Sequence, residues 1–334
     1  MSPNPYRLRS NCQIRMKLSA ILLFGPWVTT ASLIKRGDLA PAATTTDSAA
    51  VASATQISAQ NATSTNLAPY NGNSSAYHLG YRSDDFQRPF AKYWNPTIAP
   101  LFDEFLNGLV ASPWANALAY TAHEAHDYFT RPGYDTLENG FTITENGTVV
   151  IAVRSEIPQM TGESFDWWFA WHQTEAARYK LWNPVAHAYV WRLPERVDAT
   201  RSYRDRWINT TSYVAEYVGE ESSKISIGFI QPETLGFNQT SWAALGIETI
   251  VMGHILIGKH TTSEWDGESY LMHQVRRLPN GNREMRSRFW VAKNNHGTAQ
   301  IGHDLAVHCN IEMTRGSRTA LHLSGVVQAD ILHL

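Results

Sequence analysis

A long run of residues with strand-like alternation begins at Asn139, and two Asn-Gly pairs interrupt it; no other feature constrains the fold of this chain as much. Asn146-Gly147 divides GFTITENGTVVIAVRSEI into two alternating runs, and Asn280-Gly281 divides SYLMHQVRRLPNGNREMRSRFWVA in the same way. Asn-Gly between alternating apolar runs is the strongest local signal for a tight turn that joins two antiparallel strands. Both stretches are therefore predicted to be β-hairpins.

Other segments complete an α+β pattern. Four further stretches have the composition of strands: AHAYVWRL, TTSYVAEYVG, KISIGFIQ and IETIVMGHILIG. Helical spacing returns after Gly302 and continues to the C-terminus, with a break expected at Gly316. Helical spacing is also seen in TIAPLFDEFLNGLV and PWANALAYTAHEAHDYF, before the strands. We expect a small helical N-terminal region over residues 77–134, then a mostly antiparallel sheet with a C-terminal helix over residues 135–334.

The N-terminal 76 residues do not have the composition of the folded part. Basic residues precede the apolar run LSAILLFGPWVTTASL, which is typical of a secretory signal, and Met16 is an alternative start. The run has about 16 residues, whereas a membrane span needs about 20. Lys35-Arg36 is a candidate processing site, so residues 1–36 are predicted to be removed. Residues 37–76 are rich in Ser, Thr and Ala and are predicted to be a disordered linker.

Sequons and cysteines also favour a secreted glycoprotein without disulfides. Five N-x-[ST] sequons are candidate glycosylation sites: Asn61, Asn73, Asn146, Asn209 and Asn238. The two cysteines are Cys12, which would leave with the signal, and Cys309, which then has no intramolecular partner. The net charge of −2 excludes the basic excess that nucleic acid binding requires. The 12 Trp, 14 Tyr and 12 Phe suit a buried pocket for a flat ligand.

Two segments contain acidic and imidazole side chains at spacings that suit a metal. In HDLAVHCNIEM, His308 and Glu312 are four residues apart and share one helix face, although an exposed polar face has the same spacing. In VAEYVGEE, side chains alternate along a strand, so Glu216 shares a face with Val214 and Val218, which puts a carboxylate on the apolar side. Glu220 is the alternative, although it follows Gly219 in a turn. The two histidines of HEAHD are three apart, so that segment does not have the spacing of a zinc protease.

A tryptophan-rich segment, DWWFAWHQTEAARYKLWNPVAH, contains two further candidates. His187 opens a predicted strand and is favoured over His172, although both are also compatible with an aromatic core. Cys309 is about 100° round the helix from His308, so it is assigned to packing. Taken together, His187, Glu216, His308 and Glu312 offer two nitrogen and two oxygen ligands, a set that zinc accepts.

Five motifs, in this order, resemble the 2,4-diacetylphloroglucinol hydrolase and phloretin hydrolase family over roughly residues 135–330: FDWWFAWH, RYKLWNPVAH, EYVG, EMRSRFWV and HCNIE. The resemblance implies a helix-grip fold, similar to the birch pollen allergen, in which the sheet wraps the C-terminal helix. It implies a Zn²⁺-dependent hydrolase that cleaves the carbon–carbon bond between an acyl group and a phloroglucinol-type ring. The implied partners are a small phenolic ketone and, as a homodimer, a second copy of the chain.

The resemblance also assigns roles to individual residues. It implies His187, Glu216, His308 and Glu312 as metal ligands and His254, Tyr179 and Tyr270 as catalytic polar groups. We expect Trp167, Trp171 and His172 to bind substrate, with Trp168 as a further wall. Two alternatives remain at this point: a secreted carrier that binds hydrophobic phenolics without turnover, and a metal-dependent hydrolase of esters or lactones.

Overall fold

The structure is a computed structural model that describes residues 78–192, 200–261 and 264–331, with side chains described as far as Arg315. The predicted signal segment, the predicted linker and the sequons at Asn61 and Asn73 lie outside these residues. Within the described ranges, no helix combines the length and the apolar character that crossing a membrane requires.

Eight antiparallel strands form one sheet, in the order β1-β2-β8-β7-β6-β5-β4-β3. The strands are β1 Gly140–Ile143, β2 Val149–Glu156, β3 His187–Trp191, β4 Thr211–Val218, β5 Glu221–Ile230, β6 Ile247–Ile257, β7 Tyr270–Arg277 and β8 Arg283–Val291. Both predicted hairpins are confirmed, because β1 pairs with β2 and β7 pairs with β8 around the two Asn-Gly pairs. Gly147 and Gly281 have φ angles of 87° and 86°, which glycine adopts without steric cost.

The described part of the chain also contains seven α-helices. They are α1 Asp103–Val110, α2 Ala125–Phe129, α3 Gly162–His172, α4 Ala176–Trp182, α5 Tyr203–Trp207, α6 Trp242–Leu245 and α7 Ala299–Ile331. Helix α7 continues through Gly316, so the predicted break there is wrong. A glycine inside a helix costs only about 1 kcal/mol relative to alanine, and a helix of this length tolerates that cost.

The predicted helix over PWANALAYTAHEAHDYF is also wrong for most of its length, because only α2 is α-helical there. The backbone near Trp114 is bonded to the edge strand of the sheet instead. The Trp114 N–H donates to the carbonyl of Phe141, and the Thr142 hydroxyl donates to the carbonyl of Trp114. Bonds to the sheet thus replace the bonds that a helix would have formed within this segment.

Both faces of the sheet are buried. On one side, here called the helix face, Val214, Leu271 and Phe289 belong to the same core as Leu305 of α7, which lies against β1 and β2. On the other side, here called the back face, a second core is formed by strand residues together with α2 and α6: Val150, Ile250, Met252, Met272, Trp290, Ala125, Phe129 and Trp242. Strands buried on both sides lose the simple alternation of apolar and polar residues.

A buried ionic cluster joins the back face to the segment that precedes β1. Arg286 Nε and Arg288 Nη2 donate to Glu138 Oε2 at 3.1 and 3.0 Å, and Asp135 also accepts from Arg286. Both guanidinium groups lie over the ring of Phe129. Two buried cations need this pairing, because an unpaired charge in the interior is strongly destabilising.

Candidate metal centre

Four side chains from two strands and one helix converge on the helix face. His187 is the first residue of β3, and Glu216 is its register partner on β4. His308 and Glu312 are one helical turn apart on α7. All four side chains are buried. The strand pairing and the helical spacing together therefore place two imidazoles and two carboxylates in one buried cluster.

The distances within this cluster suit a single ion. Glu312 Oε2 lies 3.2 Å from His187 Nε2 and 3.6 Å from His308 Nε2. The two carboxylate oxygens of Glu216 lie 3.7 Å from the same two nitrogens. One ligand atom each from His187, Glu216 and His308 lies within 4.8 Å of the others. These separations are of the order found between ligands around one first-row metal ion.

Backbone carbonyls orient both imidazoles. His187 Nδ1 is 3.0 Å from the carbonyl of Tyr179, and His308 Nδ1 is 2.9 Å from the carbonyl of Tyr217. A carbonyl only accepts, so each Nδ1 carries a proton, and each Nε2 faces the centre as the nitrogen that a metal ion would use. His187 Nε2 is buried and has no hydrogen-bond partner among the residues described. A metal ion at this position would satisfy that nitrogen.

Groups around the cluster hold the carboxylates in place. The Tyr179 hydroxyl donates to Glu216 Oε2, and its ring stacks on His187 with 3.6 Å between centroids. Trp182 Nε1 donates to the backbone carbonyl of Glu312 at 2.9 Å. Burial, together with the carboxylates of Glu216 and Glu312, raises the pKa of Tyr179 well above its ordinary value. Tyr179 therefore keeps its proton and remains a donor.

The electrostatic field at the cluster favours a cation. Burial disfavours the charged form of His308, but the carboxylates of Glu216 and Glu312 outweigh this and raise its pKa to about 9. Burial raises the pKa of Glu312, but the adjacent imidazoles of His187 and His308 outweigh it and lower the pKa to about 2. A field that holds a proton on His308 also attracts a metal ion, which would bind in place of that proton.

Two cavities meet at Glu216. The larger one, here called the outer cavity, has a volume of about 690 Å³ and extends past Glu220 and Asp304 towards the start of α7. The smaller one, here called the inner chamber, has a volume of about 60 Å³ and is also lined by His308 and Glu312. Glu216 therefore lies where an outer cavity wide enough for a small molecule meets a narrow chamber, and the candidate ligands His308 and Glu312 line that chamber.

Of the remaining candidates in the tryptophan-rich segment, His172 lies at a cavity, whereas Trp167 and Trp171 do not. His172 lines the inner chamber, and its Nδ1 is 2.7 Å from the carbonyl of Trp168. Burial lowers the pKa of His172 to about 3, so its imidazole stays neutral. Trp167 and Trp171 stack on each other within the core, and Trp171 also meets the edge of Phe90. Neither of these two tryptophans lines the outer cavity or the inner chamber, contrary to the expectation that they form pocket walls.

His254 and Tyr270 require a correction, because the structure places them on the back face, away from the candidate metal ligands. Their neighbours Ile255 and Leu271 line the outer cavity, and successive residues of a strand point to opposite faces. The rings of His254 and Tyr270 lie 4.6 Å apart on the far side. Tyr270 lines a separate cavity of about 440 Å³ with Trp290. They are therefore not part of the pocket that the resemblance implied.

The polar residues of the inner chamber that were not predicted are His273, Ser212 and Gln173. His273 lines it from β7, and its Nδ1 is 2.8 Å from the Ser287 hydroxyl. Burial lowers the pKa of His273 to about 4. Ser212 lines it from β4, and its buried hydroxyl has no hydrogen-bond partner among the described residues. His273 is two residues along β7 from Leu271, so the alternation of that strand could have identified it once the inward face was known.

The less favoured candidates also have defined places. Glu220, the alternative to Glu216, lies in the turn after β4 and is exposed. Cys309 is fully buried in the core beside the ligand pair and is not one of the clustered ligands. The sequon residues Asn146, Asn209 and Asn238 are all exposed.

Fold and site together define an α+β protein with an eight-stranded antiparallel sheet and a candidate metal centre held between the sheet and its long helix. Residues 120–324, more than half of the chain, match the sequence profile of the DAPG hydrolase PhiG domain. The chain therefore belongs to the DAPG hydrolase family.

Named relatives agree with this assignment. A 2,4-diacetylphloroglucinol hydrolase of Pseudomonas protegens is 29% identical over 211 residues, covering 61% of this chain and 66% of that protein. A second enzyme of that name, from a Pseudomonas species, is 29% identical over 211 residues and is covered to 69% of its length. A phloretin hydrolase of Eubacterium ramulus is 23% identical over 201 residues, covering 59% of this chain and 73% of that protein.

Proposed function

We propose that this protein is a zinc-dependent hydrolase that cleaves the carbon–carbon bond between an acyl group and a phloroglucinol-type ring. The observation that carries the proposal is the buried cluster of His187, Glu216, His308 and Glu312, with an unpartnered Nε2 directed at its centre. The names of the relatives supply the substrate class, because they include 2,4-diacetylphloroglucinol hydrolase and phloretin hydrolase.

Zinc suits this donor set better than its common competitors. Two imidazoles favour a borderline metal such as Zn²⁺ over Mg²⁺ or Ca²⁺, which prefer oxygen ligands alone. A bound zinc ion supplies Lewis-acid polarisation of a carbonyl group. The helix-grip description of the fold belongs to the same proposal, and the packing of α7 against β1 and β2 supports it.

The hydrolysis transfers one water molecule across the aryl–acyl bond. The hydroxyl of water forms a bond to the acyl carbon and gives a carboxylic acid, while the ring carbon keeps the electron pair of the broken bond and takes a proton. A phloroglucinol-type ring stabilises that pair through its keto tautomer. Tyr179 is the proton donor that the cluster offers, because it is buried, protonated and hydrogen-bonded to Glu216. Ser222, Ser223 and Gln300 of the outer cavity offer partners for ring hydroxyls.

The test combines metal analysis with turnover. Purified protein is assayed for zinc and for carboxylic acid released from mono- and diacetylphloroglucinol and from phloretin. We expect about one zinc ion per chain and release of free phenol with the acid. His308→Ala is expected to abolish both metal retention and turnover. His303→Ala is the matched control, because His303 lies on the same helix but is exposed and outside the cluster.

Other outcomes would separate the alternatives. Tight binding of acylphloroglucinols with no release of acid, from protein that retains no zinc, would identify a carrier. Cleavage of phenyl esters or lactones without cleavage of aryl ketones would identify an ester hydrolase. An active His308→Ala variant would contradict the metal-dependent mechanism.

Secretion and glycosylation are part of the proposal too. The exposure of Asn146, Asn209 and Asn238 supports it, because a sequon must be accessible to be modified. Expression of the full chain in a eukaryotic secretory host is expected to give medium-borne protein whose mass falls on endoglycosidase treatment. Retention inside the cell without a change in mass would contradict this.

A further inference from the structure

We propose that the inner chamber admits the acyl group of the substrate and limits it to a short chain. The protein would then cleave phloroglucinol ketones whose acyl group ranges from acetyl to butyryl, and would discriminate against the arylpropanoyl group of phloretin. This inference rests on the proposed function and goes further, because it selects between the two kinds of substrate that the relatives' names contain.

The two cavities follow one another along the strands of the helix face. On β4, Val218 lines the outer cavity, Glu216 lines both cavities, and Val214 and Ser212 line the inner chamber. On β5 the same order holds, because Ile225 is outer, Ile227 is shared and Phe229 is inner. Two residues along a strand correspond to about 6.6 Å, so Glu216 stands at a fixed depth where the outer cavity meets the inner chamber.

This order fixes how an aryl ketone would lie. Its carbonyl would be beside Glu216, where the two cavities meet, with one substituent in each cavity. The polyhydroxylated ring fits the outer cavity, which is large and offers Ser222, Ser223 and Gln300 as hydrogen-bond partners. The acyl chain fits the inner chamber, whose walls are mostly apolar and include Phe169, Trp182 and Phe229.

The size of the inner chamber sets the limit. About 15 Å³ of such space holds one water-sized group, so about 60 Å³ holds about four. An ion held by Glu216, His308 and Glu312, which line the chamber, would take the place of about one and leave room for about three. The methyl of an acetyl group fits, and so does the propyl chain of a butyryl group. Two methylenes and a hydroxyphenyl ring, the chain of phloretin, do not fit.

Packed neighbours hold the end of the chamber closed. Phe229 is 3% exposed and meets the rings of Phe169 and Trp207, each at 5.7 Å between centroids. Trp182 is tied to the helix through its hydrogen bond to the carbonyl of Glu312. Close-packed interiors yield little, so a longer acyl chain would have to displace these rings.

The experiment measures kcat/KM of the zinc-loaded protein for a series of phloroglucinol ketones: acetyl, butyryl, hexanoyl and the arylpropanoyl of phloretin. The kcat/KM values for the acetyl and butyryl ketones are expected to lie within about tenfold of each other. The value for phloretin is expected to be at least about 100-fold below that for the acetyl ketone, since one misfitted methylene can cost about 10- to 200-fold.

Two variants change the chamber in opposite directions. Phe229→Ala removes the ring at its end and is expected to raise kcat/KM for phloretin relative to acetyl by at least about tenfold. Ser212→Val introduces a larger side chain and so narrows the chamber, at a position whose hydroxyl has no hydrogen-bond partner to lose. It is expected to lower kcat/KM for the butyryl ketone relative to the acetyl ketone. Met272→Ala is the control: a buried residue of the back face, it should leave both ratios unchanged.

The outcomes are distinct. No acid released from any ketone overturns the proposed function, and the chain-length claim with it. Cleavage of acetyl and phloretin ketones with equal kcat/KM overturns only the chain-length claim. Ratios that change equally in Met272→Ala and Phe229→Ala also overturn it. Should Phe229→Ala fail to fold, Ser212→Val still tests the chain-length claim. A fall in its ratio of butyryl to acetyl kcat/KM supports the claim, and an unchanged ratio contradicts it.

Discussion

Replacing Tyr179 by phenylalanine tests whether this residue positions Glu216 for the metal. The substitution keeps the ring that stacks on His187 and removes only the hydroxyl that donates to Glu216 Oε2. Tyr179 is 3% exposed, so solvent has no ready access to replace the lost donor. One carboxylate oxygen would then lack its partner, and the carboxylate would be freer to rotate.

The magnitude follows from the type of hydrogen bond. A hydrogen bond to a charged group contributes about 1.5 to 3 kcal/mol, and about 1.4 kcal/mol corresponds to a factor of ten in a binding constant. We therefore expect Tyr179→Phe to weaken zinc binding by about 10- to 100-fold, the range typical for a group that orients a metal ligand. The loss of turnover should be larger still, because the proposed proton donor is lost as well.

Competition with a calibrated zinc chelator at pH 7 measures the affinity, and turnover is assayed separately at saturating zinc. Tyr81→Phe is a suitable control, because the Tyr81 hydroxyl donates to the carbonyl of Ala177 in α4, the helix that also contains Tyr179, but does not touch the cluster. Affinity within about twofold of the wild type would refute the positioning argument. Tighter binding would also refute it, because it would show that the hydroxyl competes with the metal for Glu216.

Two further predictions concern stability and pH. Burial raises the pKa of Glu138, but Arg288 and Arg286 outweigh it and lower the pKa from 4.5 to about 2. The lowered pKa of Glu138 contributes about 3 kcal/mol to the free energy of unfolding above pH 4.5, and this contribution is lost as the pH falls towards 2. Urea titrations should therefore show Glu138→Gln less stable by about that amount at pH 7, with a weaker acid dependence; equal stability would contradict the pairing. Burial raises the pKa of Asp166 to about 7, despite the hydrogen bond from Thr249, so its ionisation lowers stability as the pH rises from about 4 through 7. Asp166→Asn should unfold at a higher temperature than the wild type at pH 8 but not at pH 4, and the same difference at both would contradict this.

Local spacing in the sequence predicted the positions of three of the four candidate ligands. His308 and Glu312 share a helix face because of their four-residue spacing, and that pair is close together in the structure. Glu216 lies on the inward face of β4 with Val214, as the alternation of that strand predicted. The antiparallel sheet was predictable because both Asn-Gly turns and the runs beside them have strong local signals.

The residues that the sequence misplaced lie where local patterns carry little information. Strand β6 has Ile250, Val251 and Met252 in succession, all fully buried, because each face of the sheet has its own core. Alternation cannot assign a face in such a strand, so it could not test the pocket role of His254 that the resemblance implied. Helices α3 and α4 were not predicted, because their aromatic residues are buried nearly all round and have no polar stripe.

Long-range packing determined the remaining features. The inner chamber exists only because β4, β5 and β7 bring Ser212, Phe229 and His273 together, although they are far apart in the chain. The Arg286 and Arg288 cluster with Glu138 likewise joins residues about 150 apart. No sequence period reports contacts of this kind.

Anomalous diffraction at the zinc edge from crystals of the zinc-loaded protein tests the central claim most directly. The account predicts one strong peak bonded to His187 Nε2 and His308 Nε2 and to carboxylate oxygens of Glu216 and Glu312, at about 2.0 to 2.2 Å from each. A zinc peak elsewhere in the protein, or none between these four side chains, would contradict it.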